Sequence, residues 1–422
     1  YSIRVRTTDQ GGLSFEQVFT VSVTDVNEAP TALSLSALSI AENSTSGSTV
    51  GTFTTTDPDA GNTFTYSLVT GTGSTDNGVF QIVSGALQTA AVFDYETKSS
   101  YSIRVRTTDQ GGLSFEQVFT VSVTDVNEAP TALSLSALSI AENSTSGTAV
   151  GTFSTTDPDA GNSFTYSLVT GTGSTDNGVF QIVSGTLQSA AVFDYETKSS
   201  YSIRVRTTDQ GGLSIEQVFT VTVTDVNEAP TALSLSALSI AENAASGTAV
   251  GTFSTTDPDT GNSFTYSLVT GTGSTDNGVF QIVSGALKTS AVFDYETKSS
   301  YSVRVRTTDQ DGLSVDQVFT VTVTDVNEAP TALALSNASV AENSVVGTGV
   351  GTFSTNDPDA GNTFTYALVT GTGSTDNGSF QIVGSALKTL AVFDYETKSS
   401  YSIRVRTTDQ GGLSIEQVFT VT

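Results

Sequence analysis

Between residues 31 and 130 the apolar side chains recur at every second position, in short runs separated by polar turns. Period two is the signature of a strand with one face buried. Leu33, Leu35, Leu38 and Ile40 predict a first strand with a change of register near Ala37. Val50–Thr56 predicts a second, and Phe64, Tyr66 and Leu68 a third. Phe80 and Ile82 give a short fourth, and Leu87–Phe93 a fifth. In the sixth, Tyr101, Ile103 and Val105 face one way and Ser102, Arg104 and Arg106 the other. In the seventh, Phe115, Gln117, Phe119, Val121 and Val123 share a face. Turn-forming stretches punctuate these runs at Asp57–Asn62, Gly71–Gly73, Asp76–Gly78 and Gly111–Gly112. No helical period is sustained anywhere. The expected core includes Tyr101, Ile103, Val105, Phe119, Val121, Phe64 and Leu68.

The same hundred-residue pattern returns with scattered substitutions. Tyr1, Tyr101, Tyr201, Tyr301 and Tyr401 open one phrase, YSIRVRTTDQ or YSVRVRTTDQ. A period that long is a whole domain per repeat, not one turn of a solenoid. The repeats are 31–130, 131–230, 231–330 and 331–422, the last stopping short of its linker. Residues 1–30 read as the C-terminal part of a preceding repeat, and the chain as a window on a longer array. Seven strands in a hundred residues predict an all-β, immunoglobulin-like Greek-key sandwich, with a closed barrel as the competitor.

Composition narrows the chemistry. The chain carries 43 Asp and Glu against 16 Lys and Arg, net −27, which speaks against nucleic acid or an anionic membrane as partner. Without Cys or His it has no disulfide framework, no thiolate or imidazole zinc site and no His-based triad. No apolar run reaches the length of a membrane span. Near-identical tandem domains build length or multivalency rather than one active site, so an enzyme is not expected.

The acids are not scattered. Repeat 31–130 holds Glu42, Asp57, Asp59, Asp76, Asp94, Glu96, Asp109, Glu116, Asp125 and Glu128, most of them at strand ends and in loops. Carboxylates crowded at strand ends repel unless a cation joins them. Calcium takes about six to eight oxygens in irregular geometry. The loop at Asp57-Pro58-Asp59 does not continue as an EF-hand, because position twelve is Leu68. A carboxylate pair of the glycosidase kind is poorly supported by two acids in each identical domain.

Five phrases occur in order in each of the three complete repeats, and the first four of them in 331–422: Ala41-Glu42-Asn43, Asp57-Pro58-Asp59, Phe93-Asp94-Tyr95-Glu96, Thr108-Asp109-Gln110 and Asp125-Val126-Asn127-Glu128-Ala129-Pro130. In order and spacing they resemble a cadherin repeat, more like the cadherin-like repeats of very large bacterial surface proteins than those of animal cadherins. The resemblance implies calcium between successive domains. One repeat would supply Glu42, Asp94, Glu96, Asp125, Asn127 and Glu128, and the next Asp157, Asp159 and Asp209. The same carry-over joins Asp25, Asn27 and Glu28 to Asp57, Asp59 and Asp109. It joins Glu142, Asp194, Glu196, Asp225, Asn227 and Glu228 to Asp257, Asp259 and Asp309. Finally it joins Glu242, Asp294, Glu296, Asp325, Asn327 and Glu328 to Asp357, Asp359 and Asp409. The linker departs from the family by being one residue shorter and lacking its second Asn, so two ions per junction are expected in place of the usual three.

Asp76 and Glu116 are left without a role in that scheme. Arg106 is expected to pair with Glu116 across the hairpin. The implied function is a calcium-stiffened shaft of a long extracellular adhesin or surface filament. The alternative is direct adhesion to a surface glycan or to other copies of the protein. The absence of Trp argues against adhesion by exchange of a Trp-anchored strand.

Overall fold

A computed structural model describes residues 1–422, which divide into two compact units, Tyr1–Asp225 and Val226–Thr422. In the first unit a hairpin of β1 (Ser2–Thr8) and β2 (Ser14–Thr20) precedes a sandwich whose strands run from Ala32 to Thr124. Its strands are β3 (Ala32–Leu35), β4 (Ser39–Ala41), β5 (Thr49–Thr56), β6 (Thr65–Leu68), β7 (Phe80–Val83), β8 (Ala86–Thr89), β9 (Ser100–Thr108) and β10 (Ser114–Thr124). One sheet has the order β3-β5-β8-β7 and the other β4-β10-β9-β6. All neighbours are antiparallel except β4, which runs parallel to β10. The only helical element of this repeat is a single 3-10 turn, Asn77–Val79. Residues 131–225 repeat this arrangement, and the second unit contains two more sandwiches, of which the last lacks the short parallel strand and has three strands in its second sheet. No helix is long and apolar enough to cross a membrane.

The alternation read from the sequence sets the core. Ile103 and Val105 on β9 and Val121 on β10 are completely buried, as is Leu87 on β8. Each such side chain contributes about 1.5–3 kcal/mol of burial. Phe93 stacks on Tyr101 at 4.3 Å between centroids and meets Phe80 at 5.2 Å. Buried Thr107 on β9 is satisfied across the sandwich, its Oγ1 lying 2.8 Å from that of Thr55.

Several expectations are corrected. The first predicted strand is two strands in opposite sheets: Leu33 lies on β3, Ile40 on β4, and Leu38 in the crossing is exposed. The crossing passes so close to β5 that a Cβ at Gly51 would stand 2.9 Å from the backbone nitrogen of Ala37. Only glycine gives the space, and β5 shifts register there against β8. The predicted fifth strand ends at Thr89, and Phe93 is buried from irregular backbone. Phe64, Leu68 and Tyr101 are half-buried rather than buried. Phe64 precedes and Leu68 lies on β6, which closes one edge of its sheet and has a neighbour on one side only.

Candidate metal centre

Glu42 follows β4 directly and is almost wholly buried, at 3% exposure. Its carboxylate is fixed by two backbone donors. Tyr95 N–H donates to Oε2 at 2.8 Å, and Val126 N–H donates to Oε1 at 2.7 Å. The first donor belongs to the loop after β8 and the second to the linker after β10. One side chain thus gathers three of the five acidic phrases of a repeat.

Around it, single carboxylate oxygens of Glu42, Glu96, Asp125 and Asp159 all lie within 4.8 Å of one another. The first three come from one repeat and Asp159 from the next. The second unit contains the same group in Glu242, Glu296, Asp325 and Asp359. Glu142, Glu196 and Asp225 also converge. Crowding has the expected electrostatic effect. Burial, then the charges of Asp159 and Glu42, push the Asp125 carboxyl above its usual range. Burial and the neighbouring Glu42, Asp125 and Glu128 do the same to Glu96. Asp325 and Glu296 are raised for the same reasons.

The following repeat presents its own oxygens. Asp157 Oδ1 accepts from Asp159 N–H at 3.1 Å, and Asp159 Oδ2 accepts from Glu128 N–H at 2.8 Å. The other oxygens, Asp157 Oδ2 and Asp159 Oδ1, are buried without a donor, as are Asp257 Oδ2, Asp259 Oδ1, Asp357 Oδ2 and Asp359 Oδ1. Asp359 is itself only 8% exposed. A buried carboxylate oxygen with no donor costs about 1–3 kcal/mol, more when charged, unless a cation takes the place of the donor. Burial, with the charges of Asp159 and Asp209, raises the Asp157 carboxyl.

The linker asparagine is a clasp between repeats. Asn127 Nδ2 donates to Asp209 Oδ2 at 3.0 Å and to the Glu128 carbonyl at 3.1 Å. Asn27 and Asn327 make the same contact to Asp109 and Asp409, at 3.0 and 3.1 Å. Burial alone would raise Asp209. Donation from Asn127 and from the backbone N–H groups of Leu213 and Gly212 outweighs it and holds the carboxyl low.

Besides Asp157, Asn127 and Asp209, two more residues of the expected set stand outside the group of four. Asp94 accepts from Thr97 N–H at 2.8 Å and from Thr97 Oγ1 at 2.9 Å, closing a turn; these bonds hold its carboxyl low. Glu128 turns back toward its own repeat, where Asn43 Nδ2 donates to its Oε1 at 2.7 Å. Asn43 reaches it from the left-handed region, φ 54°. The backbone donors on Glu42 and the side chain of Asn43 were not legible as site residues. The one hint was the Asn following Glu in each Ala-Glu-Asn phrase.

The profile of the cadherin domain matches residues 36–124, 136–224, 236–324 and 336–422. The chain belongs to the cadherin family. Among its curated relatives, the protocadherin-like wing polarity protein stan of Drosophila melanogaster is 31% identical over 92% of this chain, which covers 12% of that protein. Protocadherin Fat 4 of Mus musculus is 31% identical over 97% of this chain, covering 9% of that protein. This cadherin array therefore spans about a tenth of the length of these two animal relatives. The extracellular domain of protocadherin GammaB4 shares the fold at a TM-score of 0.66 and 22% identity, over 100% of this chain and 76% of that one. A three-domain piece of mouse cadherin-23 aligns at 0.51 and 25% identity over 69% of this chain and 96% of that one. The kinship places these cadherin repeats outside the cell or at its surface.

The acids outside the junctions have structural partners. Asp76 Oδ1 lies 2.5 Å from Lys98 Nζ, and its Oδ2 accepts from Ser102 N–H at 2.7 Å. Lys98 Nζ sits 4.7 Å above the Tyr101 ring. Glu116 takes both arginines of β9, Arg104 Nε at 2.7 Å and Arg106 Nη2 at 2.6 Å. The expected Arg106 pair is present, and Arg104 joins it.

Proposed function

We propose that the four cadherin repeats, taken as 31–130, 131–230, 231–330 and 331–422, form a shaft stiffened by calcium at the linkers, part of a long extracellular adhesin or surface filament. The observation that carries this reading is the convergence of Glu42, Glu96, Asp125 and Asp159 within 4.8 Å, drawn from two successive repeats. The donor set is all oxygen and largely anionic, which suits a hard cation of flexible coordination. The donorless oxygens of Asp157 and Asp159 fit the same cation.

In this reading Glu42, Glu96 and Asp125 hold the ion from one side and Asp157 and Asp159 from the other, two to three ions to a junction. Asn127 and Asp209 position the linker, and Asp94 and Glu128 join the coordination only by leaving their present partners. Bound calcium supplies the positive charge that lets these carboxylates stay ionised side by side. Small-angle scattering of the chain in calcium and in excess chelator tests the proposal. Superimposable profiles would overturn it.

A second reading is lateral association of copies. Val118, Val218, Val318 and Val418 are exposed at the same place in every repeat, and one structural neighbour, protocadherin gammaB7, forms a cis-dimer. Sedimentation of the chain with and without calcium separates a rod that stays single from one that pairs.

A further inference from the structure

In three repeats the residue two places after the late aspartate is glycine, at Gly111, Gly211 and Gly411; the repeat 231–330 has Asp311 there. The glycines are not incidental. A Cβ at Gly111 would stand 2.7 Å from Cγ of the linker residue Asn27, and at Gly211 and Gly411 it would fall nearer still to Asn127 and Asn327. By this equivalence the Cβ at position 311 lies on the side of Asn227, the asparagine of the linker that precedes this repeat.

The backbone absorbs the change. Asp311 N–H donates to Asp309 Oδ1 at 2.9 Å, as Gly111 N–H does to Asp109 Oδ1 at 2.8 Å. Asn227 Nδ2 still donates to Asp309 Oδ2, at 3.1 Å. What remains is one added carboxylate, solvent-exposed and next to the Asn227–Asp309 contact. It belongs to the same repeat as Asp257 and Asp259, whose Oδ2 and Oδ1 are buried without donors.

We propose that Asp311 tunes the cation affinity of the site formed by Asp257, Asp259 and Asp309, making it the tightest of its kind in the chain. The inference rests on the calcium reading above. A carboxylate several ångströms from a divalent ion, facing solvent and partly screened by salt, strengthens binding about two- to tenfold.

Hydrogen exchange of the full chain, read by mass spectrometry against free calcium, tests this. Protection of linkers 225–235 and 325–335 is read on peptides over 222–235 and 322–335, which differ from each other at Ser234 and Ala334 and from 22–35 and 122–135 at Thr222 and Thr322, where those carry Ser22 and Ser122. Protection of 225–235 is expected at about two- to tenfold lower calcium than 325–335, the electrostatic gain stated above. D311G should close the gap, and G411D should lower the midpoint of 325–335. Equal midpoints in the unaltered chain, or a gap that survives D311G, overturns the role of Asp311 and leaves the calcium reading standing. Absence of calcium-dependent protection at both linkers overturns both.

Discussion

Glu42 Oε1 accepts the backbone N–H of Val126 at 2.7 Å, so a buried carboxylate at the start of a repeat fixes the first residues of the linker at its end. The same carboxylate accepts Tyr95 N–H. Glu42→Ala leaves both donors without a partner. A loss of about 1–3 kcal/mol per buried donor is expected, with faster amide exchange at Tyr95 and Val126. Chemical unfolding in chelator reads the first, since the bonds are made without a cation. Unchanged exchange at Val126 would contradict the assignment.

Asp94 and Glu96 are neighbours with different tasks. Glu96→Ala is expected to weaken calcium binding at linker 125–130 and leave metal-free stability nearly unchanged, because Glu96 belongs to the convergent group. Asp94→Ala is expected to lower stability in chelator as well, because it opens the Thr97 turn. Melting of both variants with and without calcium distinguishes them. Identical behaviour would mean the two acids act alike.

Calcium is expected to raise the melting temperature by binding only the folded state. At a hundredfold excess over the dissociation constant one site adds about 2.7 kcal/mol. Chelator should restore the lower value and open residues 125–130 and 325–330 to proteolysis. A melting temperature indifferent to both would remove the cation from the account.

Asp76 offers a control that no cation should touch. Asp76→Ala leaves Ser102 N–H without its acceptor and Lys98 without its partner, an expected cost of about 1–3 kcal/mol. The loss should be equal in calcium and in chelator. A calcium-dependent loss would tie the 71–79 loop to the junction.

The Arg304–Asp316–Arg306 cluster sets an acid limit on the third repeat. Donation from Arg306, then from Arg304, holds the Asp316 carboxyl at about 2. Its folded value is depressed below the ordinary 3.8, so its stabilisation is complete above that value and is lost as pH falls toward about 2. Asp316→Asn should abolish that part of the acid dependence. A carbon-detected titration placing the Asp316 midpoint near 3.8 would contradict the pairing.

The alternation of Ile103, Val105 and Val121 was enough to orient β9 and β10, because a strand's side chains take opposite faces whatever it pairs with. The order of the acidic phrases likewise announced a cadherin repeat, since order and spacing along the chain are read without knowing any partner. Partner choice was not local. Leu33 and Ile40 read as one strand, but Leu33 faces β5 and Ile40 lies beside Val123 on β10, far along the chain. Phe93 is buried without belonging to a strand, and Leu68 only half-buried within one, because each depends on which neighbours close over it. Asp94 and Glu96 look equivalent in sequence and are separated by a backbone turn that points only Glu96 at Glu42, Asp125 and Asp159. Periodicity belongs to the chain itself. Pairing, burial and the convergence of charge are decided between segments, where the distances that set their energies first exist.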